Sequence, residues 1–209
     1  MTDVHPTARI HPTAEVEPGA TIGEGTAIWA HVHVRAGAAI GAGCIVGEKT
    51  YVAGEVVVQD LVKINAMAYL CAGVTLERGV MVAAGVVFTN DRYPRATTPE
   101  LDALLSSEVG ADTLPTTVRE GATVGAAATV GCGIEIGRFA LVGMGAVVTR
   151  SVPEHHLVVG NPARSVSAVC RCGEPLVRFT PGARGTDGEH GCDRCGRRFA
   201  IAGRRVSEI

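Results

Sequence analysis

The sequence predicts an all-β chain wound as a parallel β-helix of about seven coils of 18 residues each, with one extruded loop and a small cysteine-bearing module at its C-terminal end. Three observations carry this reading. Large apolar residues recur every six positions, the recurrence breaks once for 29 residues, and two cysteine pairs lie beyond its end.

Stepping by six from Val4, fifteen consecutive positions through Phe88 hold a large apolar residue, and the series resumes at Val118 and runs to Val148. A second sublattice lies four residues after each of these, from Ala8 to Val86 and from Ala122 to Val152. Apart from Ile134 it holds nothing larger than valine. A period of six fits neither the 3.6 of a helix nor a simple alternating strand. It fits a solenoid with short strands on flat faces, a branched residue pointing to the axis and a small one beside each corner. Glycines such as Gly19 and Gly133 fall between the sublattices, where a corner calls for positive φ. Three faces make a coil, so 21 hexads make seven coils, each bonded to the next at about 4.8 Å.

Composition agrees with this and excludes other classes. The 209 residues are 46% hydrophobic but only 4% aromatic, so aliphatic side chains must build the core. No run of 18 apolar residues suggests a membrane span. The opening Met1-Thr2-Asp3-Val4-His5-Pro6 lacks the basic and apolar regions of a signal peptide. A net charge of −2 argues against global capture of nucleic acid. Seven cysteines without an export signal point to a reducing compartment, hence an expected cytoplasmic location.

The gap covers residues 89–117. So long an excursion from so regular a solenoid is expected to be functional. It opens on Thr89-Asn90-Asp91-Arg92-Tyr93-Pro94-Arg95, a polar run with two arginines and an aromatic ring. The stretch Pro99 to Leu105, with proline in its first turn, suggests a short helix.

The repeat gives a domain over 1–165 and leaves a module over 166–209. Between them, Ser151 to Arg164 departs from the period and ends in Gly160-Asn161-Pro162-Ala163-Arg164. The module carries Cys170-Arg171-Cys172-Gly173 and Cys192-Asp193-Arg194-Cys195-Gly196. Two pairs, each followed by glycine, suit a structural Zn²⁺ site held by Cys170, Cys172, Cys192 and Cys195, although the first spacing is C-x-C. Redox pairs are the alternative reading. From Arg164 onward nine arginines face five acids, a basic balance that zinc-bound thiolates would halve; nucleic acid is not the expected partner.

The hexad pattern resembles that of the left-handed β-helix acyltransferases, and left-handedness is implied by that resemblance. Ile28-Trp29-Ala30-His31-Val32-His33-Val34, Val62-Lys63-Ile64-Asn65, and above all Val87-Phe88-Thr89-Asn90-Asp91-Arg92-Tyr93-Pro94-Arg95-Ala96 look like the bacterial nucleotide-sugar N-acetyltransferases. The nearest branch acetylates UDP-2-acetamido-3-amino-2,3-dideoxy-glucuronate in surface-polysaccharide (lipopolysaccharide) synthesis. It also carries a cysteine-containing extension after its Val-Gly-Asn-Pro-Ala-Arg close.

The resemblance implies attack of a sugar amine on the thioester of acetyl-CoA, at sites between the prisms of a homotrimer. Asn90 then orients the amine or the incoming carbonyl. Lys63, Asn65, Thr89, Asp91, Arg92, Tyr93 and Arg95 become substrate-binding candidates, the cations for phosphate or a sugar carboxylate. Gly143, Gly145, Asn161 and Arg164 are the expected coenzyme contacts, the glycines through backbone N–H groups near the thioester.

His33 is the candidate general base, its ordinary pKa lying near neutrality. His31 is a substitute, and the branch resembled looks able to work without a protein base. A prism-shaped metal-dependent carbonic anhydrase would need a downstream histidine pair in the prism, which is missing. Acetyltransferases for other small acceptors and a non-catalytic zinc-binding solenoid remain as alternatives.

Overall fold

The computed structural model describes residues 3–106, 109–179 and 186–209. Strands β1 (Asp3–Val4), β2 (Arg9–Ile10) and β3 (Glu15–Val16) form the three faces of the first coil. The order repeats to β19 (Glu135–Ile136), β20 (Leu141–Val142) and β21 (Val147–Val148). Every third strand pairs in parallel, giving sheets A, B and C that begin with β1, β2 and β3 respectively, each with seven coil strands. The register is a constant 18 residues outside the excursion: Val4 pairs Ile22, Ile10 pairs Ile28, and Val16 pairs Val34.

The six-step residues line the axis. Val34, Val46, Val52, Leu70, Leu76 and Val82 are completely or almost completely buried. The small sublattice fills the corners, where Ala20, Ala38, Cys44, Ala122 and Ala146 are also buried. Its polar members are satisfied locally: the hydroxyls of Thr26 and Thr50 donate to the carbonyls of Gly41 (2.7 Å) and Asn65 (3.1 Å).

The third residue of most corners has positive φ, as at Gly19 (96°) and Gly133 (64°). The same position also holds His31, Lys49, Glu55, Leu61, Met67, Ala127 and Phe139, all between 54° and 59°. An L-residue there costs about 1 kcal/mol, which the surrounding ladder must hold in place.

Sheet C is left at β15 (Val87–Phe88), and pairing resumes on sheet A at β16 (Thr116–Val118). The excursion therefore departs from the corner between sheets C and A. The helix expected over 99–105 does not form. Thr97 and Leu104 make an antiparallel bridge instead, Leu101 has φ of 60°, and the Thr98 hydroxyl donates to Asp102 Oδ1 at 2.6 Å. A threonine side chain bonding to an aspartate at the tip favours a tight turn over a helix start.

Beyond the coils, β22 (His156–Val159) adds in parallel to β20, and β23 (Arg164–Val169) and β24 (Pro175–Arg178) follow antiparallel on sheet B. A separate antiparallel sheet joins β25 (Gly188–Gly191), β26 (Arg198–Ala202) and β27 (Arg205–Glu208). Around Ala168, Cys170, Phe179, Phe199 and Ile201 lies a second buried cluster, apart from the prism core.

The tail meets the prism at Phe139. Its ring leans across Gly121, stacks on His155 with centroids 5.4 Å apart, and lies under the Arg171 guanidinium at 4.2 Å. His156 donates from Nε2 to the Arg204 carbonyl at 2.8 Å and accepts from Ser165 at Nδ1, also at 2.8 Å. Burial pushes the pKa of both histidines down.

Candidate functional site

Asn90 ties the root of the excursion. Its carbonyl accepts the N–H of Leu114, on the returning limb, at 2.8 Å, while its Nδ2 donates to the Ala72 carbonyl at 3.4 Å. Thr89 beside it donates backbone and hydroxyl to the Val130 carbonyl at 3.0 and 3.3 Å. Asn90 is thus a half-buried residue tied to the coil below the gap and to the returning limb, while its neighbour Thr89 is tied to the coil above. Cys71 and Cys132 occupy the neighbouring corner positions and are buried; burial pushes the Cys71 thiol up to about 11, so it is no nucleophile near neutral pH.

The arm beyond Asn90 is open. Asp91 Oδ1 accepts the Tyr93 N–H at 2.7 Å, which turns the chain outward and leaves Tyr93 79% exposed. Arg92 and Arg95 are exposed, and Arg95 donates to the carbonyl of its neighbour Pro94 at 2.8 Å. Two cations and a ring are therefore presented beside Asn90.

Other candidates lie elsewhere on the prism. Lys63 projects from the outer face of sheet B, in register with Ile45 and Met81, and Asn65 opens the corner between sheets B and C. That corner also carries Gly143 and Gly145 in the last coil. Their N–H groups already donate to Val158 and Ala126 at 2.8 Å, so they are not free for a thioester. Gly145 nonetheless has no atom within 4 Å of where a Cβ would stand, leaving an open shelf. The 160–163 turn rests on this coil, with Val147 bonded to Gly160 at 3.0 Å and to Ala163 at 2.8 Å. Asn161 and Arg164 are exposed there. Within one chain, this shelf and Lys63 sit on a different edge from Asn90.

His33 starts a strand on sheet C and donates from Nε2 to Glu17 Oε1 at 2.8 Å. Glu17 also takes Arg35 Nε at 2.6 Å and the Ala36 N–H at 2.9 Å. The Ala36 N–H, then His33 and Arg35, bring its carboxyl down to about 2. Glu17 thus gathers His33, Arg35 and the Ala36 N–H into one hydrogen-bonded network. His31 is exposed at the preceding corner, its N–H held by Thr13 Oγ1 at 3.1 Å. His33 is three rungs from Val87, about 14 Å at the usual strand spacing, so it and Asn90 are not brought together.

The sequence motifs do not reveal the column on which His33 stands. Glu15, His33, Tyr51, Tyr69 and Val87 are register partners along sheet C. Tyr51 and Tyr69 stack at 5.2 Å with planes 8° apart, and His33 meets Tyr51 edge-on at 5.4 Å. Stepping by 18 from Glu15 finds them in the sequence.

The four tail cysteines converge. Sγ of Cys170 is 3.4 Å from that of Cys195, Cys172 is 3.5 Å from Cys192, and all four lie within 4.8 Å of one another. Thiolates at about 2.3 Å from one zinc stand about 3.8 Å apart, so the set fits a tetrahedral ion. The N–H groups of Gly173 and Gly196, both at positive φ, close turns onto Cys170 (2.9 Å) and Cys192 (2.8 Å), so the C-x-C spacing still forms a knuckle.

A cleft of about 580 Å³ lies away from these groups, on sheet A among Arg119, Glu135, Arg138 and Glu154. Arg119 is paired with Glu77 at 2.8 Å and Arg138 with Glu120 at 2.6 Å, and among the described residues none of the excursion lines it.

Residues 19–54 match the family model of the bacterial transferase hexapeptide (six repeats), and residues 65–90 and 115–150 match that of the hexapeptide repeat of succinyl-transferase. Over 94 residues, 45% of each chain, the sequence is 39% identical to a dTDP-3-amino-3,6-dideoxy-alpha-D-galactopyranose 3-N-acetyltransferase of Aneurinibacillus thermoaerophilus. Over 110 residues it is 32% identical to a serine acetyltransferase of Buchnera aphidicola, covering 49% of this chain and 37% of that one. The chain thus spans less than half the length of these curated relatives. In fold it is similar to a point mutant of AntD, an N-acyltransferase of Bacillus cereus solved with dTDP-4-amino-4,6-dideoxyglucose and coenzyme A (TM-score 0.51, 15% identity, 80% of this chain and 82% of that one). Three stretches of the prism, residues 19–54, 65–90 and 115–150, thus match models of the hexapeptide repeat.

Proposed function

We propose that the protein is an acetyl-CoA-dependent N-acetyltransferase acting on the amino group of a nucleotide-linked sugar, with the reacting amine held at the root of the excursion. The observation that carries this is the 39% identity over 94 residues to an enzyme named for acetylating a dTDP-linked 3-amino sugar. The chemistry asks for a neutral amine, a donor for the developing oxyanion and alignment of two long ligands. Asn90 supplies a fixed amide, and Thr89, Asp91, Arg92, Tyr93 and Arg95 supply the polar arm around the acceptor. Arg92 and Arg95 suit a pyrophosphate, which UDP- and dTDP-linked sugars share, or a sugar carboxylate; the acceptor we propose is a UDP-linked 3-amino sugar, in the uronate form, made for surface polysaccharide.

Acetyl-CoA would occupy the shelf at Gly143, Gly145 and Asn161, with Arg164 toward its phosphates. The shelf and Lys63 lie on a different prism edge from Asn90, so a complete site calls for a second copy, consistent with a homotrimer. Because coils of parallel copies keep their height along a shared axis, His33 stays about three rungs from Asn90. We therefore assign proton removal to solvent or to the departing CoA sulfur, with His33 on the acceptor's path. Cys170, Cys172, Cys192 and Cys195 would hold one structural Zn²⁺ in a module over 166–209, reinforcing the small apolar cluster around Phe179, Phe199 and Ile201. The setting is cytoplasmic, where thiolates stay reduced.

Chromatographic detection of CoA released from acetyl-CoA tests the reading, against UDP- and dTDP-linked 3-amino and 4-amino sugars with and without a C6 carboxylate. Release with one acceptor is expected. Binding of CoA with silence across the panel would move the acceptor elsewhere, and silence without CoA binding would remove the enzyme reading.

A further inference from the structure

The chain is poor in aromatic residues, with three tyrosines in 209 positions. Two of them, with His33, occupy consecutive rungs on the outside of sheet C, where a side chain contributes nothing to the prism core. Tyr51 is held in place from the side: Arg35 Nη1 donates to its hydroxyl at 3.0 Å, and Arg35 is itself bonded to Glu17 at 2.6 Å. Tyr69 stacks nearly parallel on Tyr51 and is 45% exposed. The next rung is Val87, whose small side chain ends the stack, and among the described residues no further aromatic ring covers the other face of Tyr69.

That open end points at the excursion root. Val87 is followed directly by Phe88, Thr89 and Asn90, and the Asn90 amide bonds to Ala72, three residues beyond Tyr69 in the same coil. A rigid, half-exposed ring pair thus stands one rung from the proposed reacting amide. Planar heteroaromatic rings stack on such a surface because every base offers a π-face, without requiring a particular hydrogen-bond pattern.

We propose that the Tyr69–Tyr51 stack, edged by His33, is the binding platform for the nucleobase of the acceptor. The inference rests on the nucleotide-sugar reading above and extends it to a named subsite. Glu17 and Arg35 are positioning residues, since they act by holding Tyr51 and His33. The platform favours a base by stacking, so discrimination among pyrimidines would come from other contacts.

Titration calorimetry on the full-length protein, with UDP and dTDP as probes and acetyl-CoA as control, tests this. Wild type is expected to bind at least one nucleotide, Tyr69→Ala to bind it about tenfold more weakly or worse, and Tyr69→Phe to bind as wild type. All three should bind acetyl-CoA equally, which also reports that the prism is intact. Nucleotide binding by Tyr69→Ala at wild-type strength would overturn the platform while leaving the nucleotide-sugar reading standing. No binding of either nucleotide by a wild type that binds acetyl-CoA would overturn the platform and count against the nucleotide-sugar reading. Nucleotide binding that depends on Tyr69, with no CoA release from any amino sugar, would support the platform and remove the acetyl transfer.

Discussion

Phe139 lies across Gly121, its nearest ring carbon 2.3 Å from where a Cβ on that glycine would stand. The same ring carries His155 on one side and the Arg171 guanidinium at 4.2 Å, so one missing side chain in the sixth coil lets the seventh receive the tail. Gly121→Ala should therefore cost the strain of φ 67° and the displacement of Phe139 together, about 2–4 kcal/mol. Gly85→Ala, at φ 68° with nothing within 4 Å, should cost only the backbone part, about 1 kcal/mol. Thermal unfolding of the two variants checks the difference, with Gly121→Ala melting several degrees lower.

The tail should carry one zinc per chain. Elemental analysis of the purified protein is expected to find it, and Cys192→Ser, which removes a buried ligand, should lose it. Chelation should raise protease sensitivity within 166–209 while leaving the prism resistant, because the prism core is separate from the tail cluster.

Docking of the tail should weaken in acid. Burial lowers the pKa of His155 and His156 from an ordinary value near 6.5. A histidine whose folded pKa is depressed binds fewer protons when folded, so its contribution is complete above about pH 6.5 and is lost as pH falls below it. Both rings donate to tail carbonyls, His155 to Val169 at 3.1 Å and His156 to Arg204 at 2.8 Å. Stability measured between pH 7.5 and 5 should therefore fall more in wild type than in His156→Gln. Parallel curves would assign His156 no part in it.

Most of the coil architecture can be read from the chain because an axis residue every six positions leaves one register for each strand. Val4, Ile22 and Ile40 stack as the period requires. The cysteine knuckles are equally plain, since glycine follows each pair. The Thr97–Leu104 turn was not legible: a proline followed by leucines suits a helix, and the turn is set by the Thr97–Leu104 bridge, the positive φ of Leu101 and the Thr98–Asp102 hydrogen bond, none of which the residue types announce. Nor was the seam, where His155 and His156 look like a polar exit from the repeat and become buried contacts. The site was legible as a list and not as a place. Asn90 and its arm form one locus, whereas His33, Lys63 and the Gly143–Gly145 shelf stand on other faces or rungs, because each hexad turns the chain to a new face.

Acyl transfer at the excursion root is tested most directly by turnover and melting temperature of Asn90→Ala beside wild type. Loss of a fixed amide at a reacting carbonyl costs on the order of 100-fold or more in turnover. The side chain's bond to the prism is a 3.4 Å contact with Ala72, and the excursion is also held by the Asn90 carbonyl, which alanine keeps. The expected result is a fall of about 100-fold or more in kcat with the melting temperature shifted by no more than about 2 °C. Unchanged turnover, or turnover and stability falling together, would contradict it.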